Sequence, residues 1–261
     1  MKNKNIDSGN SFDFGKTSAD YALFRDIYPQ SMYDKLTELG IGRSGQKILD
    51  LGSGTAVLPI RLCRTGALFT ATDISENQIK LGKQRAAEIS CENISFKVCS
   101  AENTGFNDES FDAVTAVQCF QYFNAEIAAA EIRRVLKPGG LFCKIFMDWL
   151  PYEDEKIAET ERLVLKYNPN WSGGGFKEFN YSFPHWAQGR FTLESVQSYK
   201  EELCFTKDAW IGRIRTCRGV GASLSPAQIR AFETEYTAAL AKYPEPLRLK
   251  HEIHIELYKR V

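Results

Sequence analysis

No apolar run in the 261 residues approaches the length of about 20 residues that a bilayer-spanning helix needs. Charge of one sign is also missing: Lys plus Arg and Asp plus Glu both total 33, so the formal net charge is zero. Nothing overall draws such a chain to a phosphate backbone, which counts against nucleic acid as a partner. The seven cysteines, Cys63, Cys91, Cys99, Cys119, Cys143, Cys204 and Cys217, stand singly with no C-x-x-C pair. That spacing offers no zinc knuckle and no thioredoxin-like motif. Reduced thiols in a cytoplasmic protein are the expectation, and the first twenty residues lack the apolar stretch of a secretory leader. No metal-ligating constellation, internal repeat or low-complexity tract appears.

What is present is an alternation of strand-like and helix-like stretches, the pattern of a parallel sheet covered on both faces. Strands are expected at Lys47–Leu51, Ala67–Thr72, Ile94–Val98, Phe111–Val117 and Leu141–Met147. Helices are expected over roughly Ala56–Arg64, Glu76–Ile89, Ala125–Leu136 and Glu153–Lys166, with "KPGG" (137–140) as a helix stop and turn. Ser195–Phe205 reads as a sixth strand, and "LRLKHEIHIELYKRV" alternates as a strand with one drier face should. Between these two lies a helical insertion, 206–246. One helix starts near Asp208 behind Thr206, and another carries a Ser225–Pro226–Gln228 capping box. The insertion and the N-terminal segment 1–46, with a helix around Ser18–Ile27, are expected to cap the carboxyl ends of the strands of a single domain, 1–261.

The stretch "ILDLGSGTAV" (48–57) runs from a buried strand through two glycines into a helix. Such a turn brings backbone N–H groups up to a ligand. A dinucleotide fingerprint wants a third glycine where Val57 stands, and Asp50 beside the turn would repel a pyrophosphate. Asp73 ends the second strand about twenty residues on, the place for a carboxylate that accepts from ribose hydroxyls. An adenosine with cationic groups and no phosphate satisfies both acids, and S-adenosylmethionine is such a molecule.

"LDLGSGTA", "TATDIS", "VCSAENTGFNDESFDAVTAVQCFQYF" and "EIRRVLKPGG" together resemble the motifs of the class I S-adenosylmethionine-dependent methyltransferases, in order and at family spacing, over about residues 45–147. The likeness is strongest for the small-molecule branch with the trans-aconitate and ubiquinone/menaquinone methyltransferases. It implies an α/β, Rossmann-like, doubly wound sheet of seven strands, mostly parallel with the last antiparallel, plus a helical cap. It implies S-adenosyl-L-methionine as cofactor, S-adenosyl-L-homocysteine as product and a small-molecule acceptor. Carried over, Gly52, Ser53 and Gly54 line the methionine part and Asp50 its ammonium. Asp73 holds the ribose, Ile74 packs on the adenine and Ala101 offers its N–H to the ring. The family's Gly-Asp-Ala is here Cys99-Ser100-Ala101, so the adenine amino group falls to Ser100, Glu102 or a water. Gln118, ending strand four, lies near the transferring methyl. "YALFRDIYP" (21–29) resembles a lid segment in which Tyr21 and Arg25 close over a carboxylate.

Methyl transfer relies on positioning and water exclusion, and needs a base only where the acceptor must lose a proton. His185 and Tyr122 are the candidate proton handlers, against a plain reading of His185 as a packed loop residue. In "WIGRIRTCRG" (210–219), a helical projection puts Arg218 within the apolar arc of Trp210, Ile211, Ile214 and Cys217, with Arg213 at its border. Both are candidates for an anionic or polar acceptor; alternatively Arg218 complements a helix terminus. "AVQCFQYF" stands where amino-group methyltransferases carry an Asn/Asp-Pro-Pro-aromatic motif, which argues against base or glutamine methylation. A non-catalytic cofactor-binding protein, a nucleic-acid or protein methyltransferase and a nicotinamide-dependent oxidoreductase remain the competing readings. No metal is implied, and the oligomeric state does not follow from the residues.

Overall fold

In the computed structural model, which describes residues 6–10, 12–13, 20, 23–24 and 26–261, seven strands form one sheet of order β3-β2-β1-β4-β5-β7-β6. They are β1 (Lys47–Leu51), β2 (Leu68–Asp73), β3 (Ile94–Val98), β4 (Phe111–Val117), β5 (Leu136–Trp149), β6 (Phe191–Phe205) and β7 (Leu247–Arg260). All run parallel except the last. The helices are α1 (Gln30–Glu38), α2 (Val57–Leu62), α3 (Glu76–Glu88), α4 (Ala125–Val135), α5 (Glu155–Tyr167), α6 (Lys207–Arg215) and α7 (Pro226–Leu240). Among the described residues no helix is long and apolar enough to cross a membrane.

The chain divides into two compact units. One, formed by Tyr28–Met147, Phe179–Ser198 and Ile253–Val261, holds β1 to β4 whole. Its strand order reverses beside β1, which pairs with β2 on one side and β4 on the other, both in parallel. The ligand crevice of such a sheet lies at the carboxyl ends of the strands flanking that reversal. Here those are the ends at Leu51, Asp73 and Val117. The core beneath α4 gathers Ile132, Val135, Leu136, Phe142, Trp186 and Tyr258, all under a tenth exposed.

The other unit takes in Met1–Ile27, Asp148–Glu178 and Tyr199–Glu252. Its helices begin on side-chain caps: Asp154 for α5, Thr206 for α6 and Ser225 for α7, the last a full capping box with Gln228. Trp149, Trp171, Trp210, Phe205 and Tyr236 pack its interior. The "WSGGGF" loop is anchored there: the Gly175 N–H donates to Glu161 Oε2 at 2.8 Å, while Trp149 Nε1 donates to Oε1 at 2.6 Å.

Three sequence expectations change. The "KPGG" segment lies within β5, not before it, with a register shift between Phe111 and Ala113. Lys137 reaches Asp112 on β4 at 2.6 Å and holds it alongside. β6 starts at Phe191 rather than Ser195. α6 ends at Arg215, capped at Thr216, so Cys217 and Arg218 lie beyond the helix and the projected arc does not hold for them. The expected N-terminal helix falls partly outside the described residues, while α1 is an element the sequence patterns did not mark.

Candidate functional site

The turn after β1 is built from left-handed backbone. Gly52 and Gly54 have φ of 60° and 56°, and Ala56, which leads α2, has φ of 60°. At Gly52 a side chain is also excluded by space: a Cβ would meet Cys119 Cβ at 2.7 Å and Sγ at 2.9 Å. Cys119 is fixed there by its thiol, which donates to the Leu51 carbonyl at 3.0 Å. Arg85 on α3 clasps the far side of the turn through the Thr55 carbonyl and hydroxyl, at 3.1 and 3.0 Å.

Asp50, 2% exposed, points into this turn. Its Oδ2 accepts from the Ser53 hydroxyl at 2.5 Å and its Oδ1 from the Thr115 hydroxyl at 2.6 Å. Thr115 sits directly opposite Asp50 in the β1–β4 pairing, 65 residues away in sequence. Among the described residues no lysine, arginine or histidine pairs with this acid. Burial pushes its carboxyl up to about 6, against the two hydroxyls that favour the charged form, with Asp73 adding like charge. A buried acid answered only by neutral donors is a place for a cationic ligand group.

Asp73 ends β2. Its Oδ2 accepts the Gly54 N–H at 3.0 Å and its Oδ1 the Ser75 N–H at 2.8 Å, which joins the acid to the glycine turn. Burial raises its pKa from the ordinary value. The cap of α3 is Ser75, whose side chain accepts from Gln78, so Asp73 is not that cap. Ile74 beside it is 63% exposed, an apolar side chain left open next to Asp73.

After β3, the Ser100 hydroxyl donates to Glu102 Oε2, and Glu102 Oε1 accepts the Asn124 N–H at 2.8 Å. Glu102 thereby ties the post-β3 loop to the start of α4, while Ala101 is 7% exposed. Gln118 ends β4 with φ of 57°, a conformation costly for a residue with a Cβ and typical of functional sites. Its backbone N–H donates to the Ile145 carbonyl at 2.9 Å and its side-chain amide to the Met147 carbonyl, which aims the residue across the end of β5. Tyr122 follows in the 3-10 turn Phe120–Tyr122. Sequence reasoning missed Thr115 and Cys119; only the strand pairing brings them to the turn.

The remaining candidates stand elsewhere. Tyr21 and Arg25 lie outside the described residues. His185 is largely exposed and meets Glu126 at 2.8 Å. Arg213 is 2% exposed, stacked among Trp149, Phe205 and Trp210, and donates to His251 Nε2 at 2.6 Å. His251 Nδ1 faces the Leu249 carbonyl, so it carries the proton and Nε2 accepts. Arg218 pairs with buried Asp7 at 2.8 Å, and Asp7 also accepts from the Ser172 N–H and hydroxyl.

The glycine turn, the buried Asp50, Asp73 at the end of β2 and the exposed Ile74 thus stand together at the carboxyl ends of β1 and β2. Residues 49–143 match the profile of the methyltransferase domain family. The chain is 33% identical over 139 residues to the ubiquinone/menaquinone biosynthesis C-methyltransferase UbiE of Zymomonas mobilis, covering 51% of this chain and 57% of that protein. It is 36% identical over 151 residues to the demethylmenaquinone methyltransferase of Clavibacter sepedonicus, covering 55% and 60%. The matched region thus spans little more than half the length of these curated relatives. The YcgJ protein of Bacillus subtilis shares the fold at a TM-score of 0.54 and 20% identity, over 89% of this chain and all of that one. These matches support a class I S-adenosylmethionine-dependent methyltransferase domain over the matched region.

Proposed function

We propose that this protein transfers a methyl group from S-adenosylmethionine to a small-molecule acceptor. The single observation that carries the reading is Asp50: buried, beside the glycine turn, with two hydroxyl donors and, among the described residues, no cation. S-adenosylmethionine fits that arrangement because it is cationic and carries no phosphate. Asp50 receives its ammonium, Gly52, Ser53 and Gly54 line the methionine part, and Asp73 accepts from the ribose. Ile74 covers one adenine face, while Ala101, Ser100 and Glu102 line the ring's edge. Tyr21 and Arg25, outside the described residues, remain assigned to a carboxylate by the family likeness alone. When bound, the cofactor supplies a methyl group activated by its sulfonium.

Gln118, held in its unusual backbone conformation, borders the path of the methyl group, and the chain contributes mainly position and the exclusion of water. Tyr122 and His185 are assigned to proton removal where the acceptor must lose one. Arg213 and Arg218, which the sequence offers for an anionic acceptor, are engaged within the fold, Arg213 by His251 and Arg218 by Asp7. The similarity to quinone-pathway methyltransferases supports a small organic acceptor rather than nucleic acid.

Calorimetric titration with S-adenosylhomocysteine, with NAD alongside, tests the reading. Saturable binding of the former alone is expected; binding of NAD, or of neither, overturns it.

A further inference from the structure

Two of the seven cysteines, distant in sequence, are brought together in the fold. Cys63 opens the short 3-10 turn Cys63–Thr65 that follows α2, and Cys91 lies in the turn after α3. Both turns lead into the amino ends of strands, β2 at Leu68 and β3 at Ile94, opposite the carboxyl ends where the candidate cofactor pocket is built.

One side chain gathers the two turns. Asn93 Nδ2 donates to the Cys63 carbonyl at 2.7 Å and to the Ala67 carbonyl at 2.6 Å. Its Oδ1 accepts from Cys91 Sγ at 3.1 Å. The amide therefore places the backbone of one cysteine and the sulfur of the other on a single planar group. The Cys91 thiol has the Cys63 thiol as its other hydrogen-bonding neighbour. Both residues are half-buried, unlike the buried Cys119, Cys143 and Cys217.

We propose that Cys63 and Cys91 form an oxidisable dithiol, a modification site that closes to a disulfide when the protein meets a peroxide. The two cysteines have distinct parts. Burial and the adjacent sulfur push the Cys91 thiol up to about 12, so it keeps its proton at neutral pH. Cys63 is the sulfur that attacks first, since the Cys91 thiol hydrogen is engaged with Asn93 Oδ1. Its thiolate attacks one peroxide oxygen, the O–O bond breaks, and the departing hydroxide takes up a proton as water. The resulting sulfenic acid of Cys63 is attacked by Cys91 sulfur. The S–S bond forms as the S–O bond breaks, and the Cys91 proton leaves with the hydroxyl as a second water. Two thiols and one peroxide thus give one disulfide and two waters.

The test uses the full chain, treated with hydrogen peroxide, alkylated with N-ethylmaleimide and analysed as intact protein and as peptides. The expected result is two fewer N-ethylmaleimide additions than in the reduced protein, with the loss of two hydrogens, and one cross-linked peptide pair joining Cys63 to Cys91. In Cys91→Ser, with no resolving sulfur, dimedone should trap a sulfenic acid at Cys63. Full alkylation of both cysteines after oxidation, or a disulfide that instead uses Cys99 or Cys204, overturns the proposal. The readout is mass alone, so it is independent of cofactor binding.

Discussion

Two buried acids in the same unit meet opposite treatment. Asp50 on β1 is surrounded by hydroxyls and its carboxyl is pushed up to about 6. Glu256 on β7, 5% exposed, receives Lys144 at 2.7 Å, His254 at 3.0 Å and the Tyr258 hydroxyl at 2.5 Å, and is held down at about 2. Both pay the same kind of desolvation. At Glu256 the partners more than offset it; at Asp50 they do not. An acid whose charge is answered inside the fold supports the fold, whereas one left unanswered is held ready for something that arrives from outside.

The largest effect should come from stripping the satisfied acid. Lys144→Met removes the cation that faces Glu256 and leaves a buried carboxylate with neutral donors and one histidine. A loss of about 3 kcal/mol is expected on denaturant unfolding at neutral pH. The pH sense follows from the lowered pKa. The stabilisation by Glu256 is complete above its ordinary value of 4.5 and fades as pH falls toward 2. In Lys144→Met the folded-state pKa should rise back toward the ordinary value, so the loss on acidification should be smaller and complete at a higher pH. Unchanged stability would mean that Glu256 does not depend on its cation and that the contrast with Asp50 is empty.

The second effect has the opposite sign. Ionised Asp50 costs the ligand-free protein stability: the cost is absent below pH 3.8 and complete above about 6. A shift of that size corresponds to about 3 kcal/mol. Asp50→Asn should therefore stabilise the ligand-free protein at pH 8 by up to that amount, with little gain at pH 4. The same variant should bind S-adenosylhomocysteine about tenfold or more weakly. In the wild type, affinity should be flat above pH 6 and fall below it as Asp50 takes up its proton. Destabilisation at pH 8 together with wild-type affinity would place Asp50 with the structural acids.

A smaller loss is expected at Gly52→Ala. The positive φ and the 2.7 Å approach to Cys119 Cβ both oppose a methyl group, for a cost of about 2 kcal/mol. Because the strain falls on the turn itself, cofactor affinity should fall with it. A double variant with Cys119→Gly separates the two terms: recovery would assign the cost to space, and no recovery to backbone.

How far this site was legible follows the distance between its parts in sequence. Asp50, Ser53 and the two glycines lie within five residues, and Asp73 falls where a β-α-β unit must deliver it, so local pattern suffices. The Ser225 capping box is equally local and appears as expected, whereas β7 forms but alternates only over 247–250: residues 251–258 are buried on both faces, where the strand runs inside the sheet between β5 and β6. Thr115, which completes the donor pair on Asp50, is set by strand pairing and has no local signature. The same holds for Lys144 and Glu256, 112 residues apart. The Arg218 projection failed for a local reason: the turn through Thr216 ends the helix, whereas the arc presumed it continued. Where side chains meet through register, periodicity within one segment carries no information about the partner.

The smallest effect concerns an acid that contrasts with both. Glu126 lies on the surface at 47% side-chain exposure, paired with His185 and with Arg190, and its pKa is lowered first by the His185 bond. Exposed pairs of this kind contribute little, because water screens them and two mobile side chains must be held together. His185→Ala should change unfolding stability by less than about 0.5 kcal/mol. That small structural consequence is what makes the variant informative. If turnover of a proton-bearing acceptor falls while stability and S-adenosylhomocysteine affinity stay at wild-type values, the loss belongs to proton transfer. If turnover is also unchanged, His185 is a surface partner of Glu126 and proton removal falls to Tyr122 or to solvent.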